Sequence, residues 1–142
     1  MKKALLIVTV LALALGASSV IAEQTHWAGT YWDPANTTIQ GTWTGILFVN
    51  EPDGSAPYFQ GEWFPDDGTV GGTLYASLYD DGSGVYPILE SMIYDSNGEK
   101  IGWLEGYFDL SSAVIGHGEG RWKLFSDPSL SHYGFWKGKQ VD

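Results

Sequence analysis

The chain has 142 residues, 19 glycines, no cysteine, 15% aromatic residues and a formal net charge of −10. Without cysteine there can be neither disulfides nor the lipidated cysteine that anchors a lipoprotein. The acidic balance repels nucleic acid and anionic lipid, so neither is an expected partner.

In chain order, residues 1–22 read as a secretory signal. Lys2 and Lys3 supply a positive start, Ala4 to Leu15 an apolar run, and Val20-Ile21-Ala22 a small-residue exit, so cleavage is expected after Ala22. The apolar run is short for a membrane span, which needs about 20 residues. Residues 23–142 are then one exported domain, placed in the periplasm, at the cell surface or in the medium, with no span after signal removal. This mature part holds all 17 acids but only five of the seven bases, a net charge of −12. Glu23 to Glu99 carry 12 acids and neither Lys nor Arg; from Lys100 onward there are five of each sign.

Beyond the signal no long segment has a helical apolar period. Strand patterns recur instead, over Thr25–Trp32, Thr38–Val49, Tyr58–Phe64, Val70–Tyr79, Val85–Tyr94, Lys100–Leu110, Ala113–Phe125 and His132–Gln140. Turn sequences separate them: Pro52-Asp53-Gly54, Asp66-Asp67-Gly68, Asp80-Asp81-Gly82-Ser83-Gly84, Asn97-Gly98 and Ser126-Asp127-Pro128-Ser129. Short turns join antiparallel neighbours, because parallel neighbours need long crossovers. Pro87 is expected at an edge or a bulge.

Eight strands in a meander leave two exposed edges unless the sheet closes. The expected fold is therefore all-β, an up-and-down barrel, closed or nearly so. A two-layer sandwich is the alternative. Four Gly-x-Trp copies, ending at Trp43, Trp63, Trp122 and Trp136, set the faces. Residues two apart on a strand share a face, so each copy puts a missing side chain beside the largest one. This Gly/Trp face, with Leu47, Val49, Phe59, Val70, Leu74, Ala76, Leu78, Leu104 and Phe108, is assigned to the core. From Trp43 onward, with Trp103 included, successive tryptophans stand 20, 40, 19 and 14 residues apart, too uneven for a solenoid.

The recurring Gly-x-aromatic strands from Gly41 to Gly138 resemble exported Gly-Trp-repeat proteins of bacteria and archaea, whose roles are mostly unassigned. Gly41-Thr42-Trp43 also resembles, more weakly, the Gly-x-Trp of the calycin barrels, the lipocalin, fatty-acid-binding and avidin-like families. That likeness implies a ligand-binding barrel, with a basic residue (Arg121, Lys137 or Lys139) packed across the indole. The chain departs from it by repeating the motif and by placing it on the second strand.

The opposite face is polar, with aromatic members Tyr75, Tyr79, Trp103, Tyr107, Tyr133 and Phe135. Flat rings beside carboxylates suit a sugar or a protein partner, and equally suit ordinary cross-strand pairing. His117, Glu119 and Arg121 share that face and are expected as surface ion pairs rather than a site. No catalytic motif, cofactor or metal is assigned. The acidic turns fit no EF-hand loop, and hairpin chemistry alone accounts for them. The expected function is a non-catalytic binding domain for a small ligand, carbohydrate or protein. A self-associating structural protein is the alternative and a glycan-active enzyme the third reading; oligomeric state and ligand are left open.

Overall fold

The computed structural model describes residues 23–112 and 114–142. The expected signal segment, 1–22, lies outside them. Eight strands follow in order: β1 (Glu23–Trp32), β2 (Gln40–Val49), β3 (Tyr58–Pro65), β4 (Gly72–Leu78), β5 (Val85–Tyr94), β6 (Lys100–Asp109), β7 (His117–Leu124) and β8 (Gly134–Gln140). Each pairs antiparallel with its sequence neighbour, and β8 pairs with β1, Tyr31 opposite Trp136, to close the barrel. The closed form of the meander is therefore the fold, and closure leaves no free sheet edge.

The turns build themselves from their own side chains. Asp53 accepts from the Ser55 N–H, Asp67 from that of Thr69, Asp81 from that of Ser83, and Asp95 from those of Asn97 and Glu99. These are Asx turns, in which a short carboxylate replaces a backbone acceptor. They are the oxygen-rich turns of the sequence. Among the described residues no group of three His, Asp or Glu converges on a metal position.

The same chemistry trims the expected strands. Asn36 takes the Thr38 N–H, and the chain turns over Asp33 to Ile39 before β2 begins at Gln40. Asp127 takes the Ser129 N–H, so β8 starts at Gly134 rather than His132. Val70, expected on the core face, is instead 53% exposed. It lies in the β3–β4 turn, where the Gly71 N–H bonds to the Trp63 carbonyl before β4 starts.

Two ladders are irregular: β4–β5 shifts register between Ser77 and Leu78, and β5–β6 is interrupted. Between β5 and β6 the register shifts from Pro87 to Ile93. Pro87 has no N–H to give, so its place at an irregularity follows from its chemistry. Across the gap Gly106 has φ +135°, a conformation open to glycine. Ser91 Oγ fills the break, donating to the Leu104 carbonyl and accepting from the Leu104 N–H, both at 2.6 Å.

The Gly-x-Trp spacing has a specific use in the interior. In the β7–β8 pair, Trp122 stands opposite Gly134 and Trp136 opposite Gly120. Each motif's indole lies against the bare backbone of the other motif's glycine. Antiparallel pairing of two identical three-residue units produces this reciprocity, because glycine and tryptophan exchange places across the ladder. Trp43 uses Gly29 and Gly138 likewise, and Trp63 uses Gly71. Lying flat brings each indole N–H to a backbone carbonyl: Trp43 to Thr30, Trp63 to Tyr94, Trp122 to Phe135 and Trp136 to Glu105. Four indole donors are thereby satisfied inside an apolar barrel.

Candidate functional site: an apolar chamber at one end of the barrel

The two barrel ends differ in how they are filled. At the end where β1 starts and β2 finishes, Trp27, Leu47, Val49, Phe59 and Leu78 are at most 2% exposed. Trp27 meets Phe108 edge-on at 5.1 Å, and Phe108 stacks on Phe59 at 5.0 Å. This end is a solid plug. Toward the other end the inward side chains leave a chamber of about 360 Å³.

Trp43, Phe59, Phe108 and Trp136 floor the chamber. Leu74, Ala76, Ile88, Ile93 and Leu104 line its wall, and Tyr31, Ile39, Trp63, Ile101, Trp122 and Leu124 stand near its rim. The lining also includes Thr38 and Gln40, which are exposed, so the chamber reaches solvent at this end. It contains no ionisable group except the Tyr31 phenol. The indole N–H groups are spent on carbonyls, so Tyr31, Thr38 and Gln40 carry the side-chain polarity that remains. Burial raises the Tyr31 pKa above its ordinary value, and the carboxylates of Asp66 and Asp67 raise it further.

The loops around this mouth are tied together. Asp33, buried at 7% exposure, meets His132 Nε2 at 3.0 Å. This contact joins the β1–β2 loop to the β7–β8 loop. Burial acts to raise the Asp33 pKa, but hydrogen bonds from His132 and from the Ala35 and Asn36 backbone outweigh it and hold it below the ordinary value. A depressed carboxylate stabilises the fold above its unfolded pKa of about 4, and that contribution is lost as pH falls through the lower native value. From about pH 5 downward, Asp33→Asn should therefore lose stability less steeply than the parent. Urea unfolding at a series of pH values measures this; parallel curves would remove the tether from the account.

Trp43, Trp122 and Trp136 are buried and Trp63 is half-buried, all facing inward. The outer aromatics divide into two groups. Tyr75 on β4 lies near Tyr58 at 6.3 Å, and Tyr58 stacks on Phe48 at 4.6 Å. Tyr79, just past β4, is 52% exposed. The second group is on β6 to β8. Trp103 meets Tyr133 edge-on at 5.9 Å, Arg121 lies over Tyr133 at 4.1 Å, and Phe135 packs near Trp32 at 5.9 Å. Tyr107 donates to Glu119 at 2.7 Å, which raises the Tyr107 pKa. The six outward aromatics thus fall in two sectors of the closed wall, Tyr75 and Tyr79 in one and Trp103, Tyr107, Tyr133 and Phe135 in the other, where Tyr107 and Phe135 border one shallow groove.

The ion pairing around β7 is at the surface and runs across the ladder rather than along the strand. Arg121 pairs with Glu105 across the β6–β7 ladder, and Glu119 serves Tyr107. The cations named by the calycin likeness point outward: Arg121 sits on Tyr133 and Lys137 near Trp32. Lys139, the third, is exposed on β8, and the Trp43 indole lies against Gly29 and Gly138 instead.

Sequence reasoning put the rim's Trp63 and Trp122 on the inward face but missed Tyr31 and the rest of the inward side of β1. Trp27, Gly29 and Tyr31 face inward on β1. They form an aromatic-x-Gly-x-aromatic run that extends the motif's pattern, and this was the available signal. Ile39 and Ile101 carried none, because isolated apolar residues at strand ends do not declare which end of a barrel stays open, and Ile88 stands beside Leu89 in β5, where the register shift obscures which of the two faces inward. Among the described residues no helix is long and apolar enough to cross a membrane. Compared with known proteins, the chain matches no family model, no curated sequence and no solved structure.

Proposed function

We propose that this is an exported, non-catalytic binding protein that takes a small apolar ligand into the barrel chamber. The observation that carries the reading is the contrast between the ends: one packed solid, the other holding about 360 Å³ of apolar space that reaches solvent. Cores normally pack to crystal-like density, and a void of that size forfeits contacts on every wall. The volume falls at the small end of ligand pockets, which run from about 300 to 1,000 Å³. The barrel is also well suited to stay open: its indoles are pinned by hydrogen bonds to backbone and do not collapse inward. The chamber supports binding better than the outer aromatics do, because those are split between two sectors and are engaged with neighbours on the wall, Tyr107 with Glu119 and Tyr133 with Arg121.

N-Phenyl-1-naphthylamine, a neutral apolar fluorophore, tests this. Its emission is expected to rise saturably with a single site. Ala76→Leu, at a fully buried chamber position, should abolish the rise while thermal unfolding remains cooperative. Absence of saturable binding, or binding indifferent to Ala76→Leu, would reject the chamber as a ligand site.

A further inference from the structure

The chamber's rim has a chemical preference of its own. Tyr31 meets Trp63 edge-on at 6.2 Å and 85°, and meets Trp122 edge-on at 6.3 Å and 84°. All three rings line the chamber. Tyr31 stands perpendicular to both indoles, so ring faces as well as edges border this rim, and an aromatic face attracts a cation. Just outside, Gln40, itself a lining residue, donates to Asp66 Oδ2 at 2.7 Å. That places a carboxylate one hydrogen bond from the chamber wall, and Asp67 is beside it.

The bases at this end are committed elsewhere or absent from the lining. Lys123 Nζ donates to the carbonyls of Ser129 and His132, and His132 faces Asp33. Lys100, at the start of β6, does not line the chamber. A carboxylate brought into the rim would meet aromatic faces and two acids, with no cation to compensate its lost hydration. An ammonium would meet the opposite.

Building on the chamber reading, we infer that the ligand is an amphiphile with an apolar body and a cationic amine head, the head held at the rim by Tyr31, Trp63 and Trp122 beside Asp66 and Asp67. The field of the whole domain works in the same direction, since a net charge of −12 draws cations toward the barrel.

Three ligands sharing one chain length separate the terms: octylamine as its ammonium, octan-1-ol and octanoate, titrated at neutral pH against intrinsic tryptophan fluorescence. The ammonium is expected to bind about tenfold tighter than the alcohol, and octanoate weakest of the three. Tyr31→Leu should erase the ammonium's advantage over the alcohol, and Tyr31→Phe, which keeps the ring, should preserve it. Asp66→Asn with Asp67→Asn, both exposed, should reduce that advantage and its salt dependence even if Tyr31→Leu does not fold. Octanoate binding as tightly as octylamine overturns the inference. So does an ammonium no tighter than the alcohol; if the neutral fluorophore still binds, the chamber reading survives. Failure of all three ligands and the fluorophore removes both.

Discussion

Trp136→Ala is expected to lower the unfolding free energy by about 3–5 kcal/mol, the usual cost of deleting a buried aromatic side chain. Trp136 is 5% exposed and is the hub of the interior. Its ring meets Trp43 at 5.7 Å and 82°, and Phe108 at 5.5 Å, and its N–H bonds to the Glu105 carbonyl at 3.0 Å. Removing it opens the chamber floor toward the plug, and the loss is a large part of the roughly 5–15 kcal/mol that holds a domain folded. Urea unfolding should show a lower midpoint with little change in slope, since the folded and unfolded surfaces are otherwise alike. Trp103→Ala is the control. Trp103 is half-buried on the outer wall, where a cross-strand aromatic contact is worth about 0.2–1 kcal/mol. Equal losses from the two variants would mean that the Gly-x-Trp face is not the structural core.

Gly134→Ala is the second large effect, and it tests the reciprocity of the motif directly. A methyl group at Gly134 would overlap Cε2, Cζ2 and Nε1 of Trp122. The indole would have to leave the backbone it lies on, and its 3.1 Å hydrogen bond to the Phe135 carbonyl would go with it. Overpacking of this kind costs about 1–3 kcal/mol or more, to which the lost bond adds about 1 kcal/mol. Gly68→Ala provides the contrast. Gly68 sits at a turn tip with φ +81° and open space around it, so alanine there costs only the backbone strain of the left-handed region, about 1–2 kcal/mol. Thermal unfolding of both variants should rank Gly134→Ala as the less stable. The reverse ranking would show that turn geometry, rather than indole seating, is why glycine is so frequent in this chain.

These two predictions mark how far the sequence could be read. The period-two placement of Gly and Trp was visible residue by residue, and so was the face it defines. The match between Gly120-Arg121-Trp122 and Gly134-Phe135-Trp136 across a ladder was not, because it depends on register, which the turn after β7 fixes. Val70 shows a local limit: its β-branched side chain argued for a strand, but the hydrogen bonds of the β3–β4 turn hold it outside the barrel. The outer aromatics show a global one. Tyr75 and Phe135 both point outward, yet closure puts their strands in different sectors of the wall.

The sequence by itself determined the eight strands, their antiparallel order and most of the inward face, because these rest on local propensity, turn chemistry and a strict alternation. Only the tertiary structure decided that the last strand meets the first, that Asp33 reaches His132 across 99 residues, and that one end is plugged while the other holds a chamber. Those outcomes depend on how side chains from all eight strands share one volume, and no segment carries that sum.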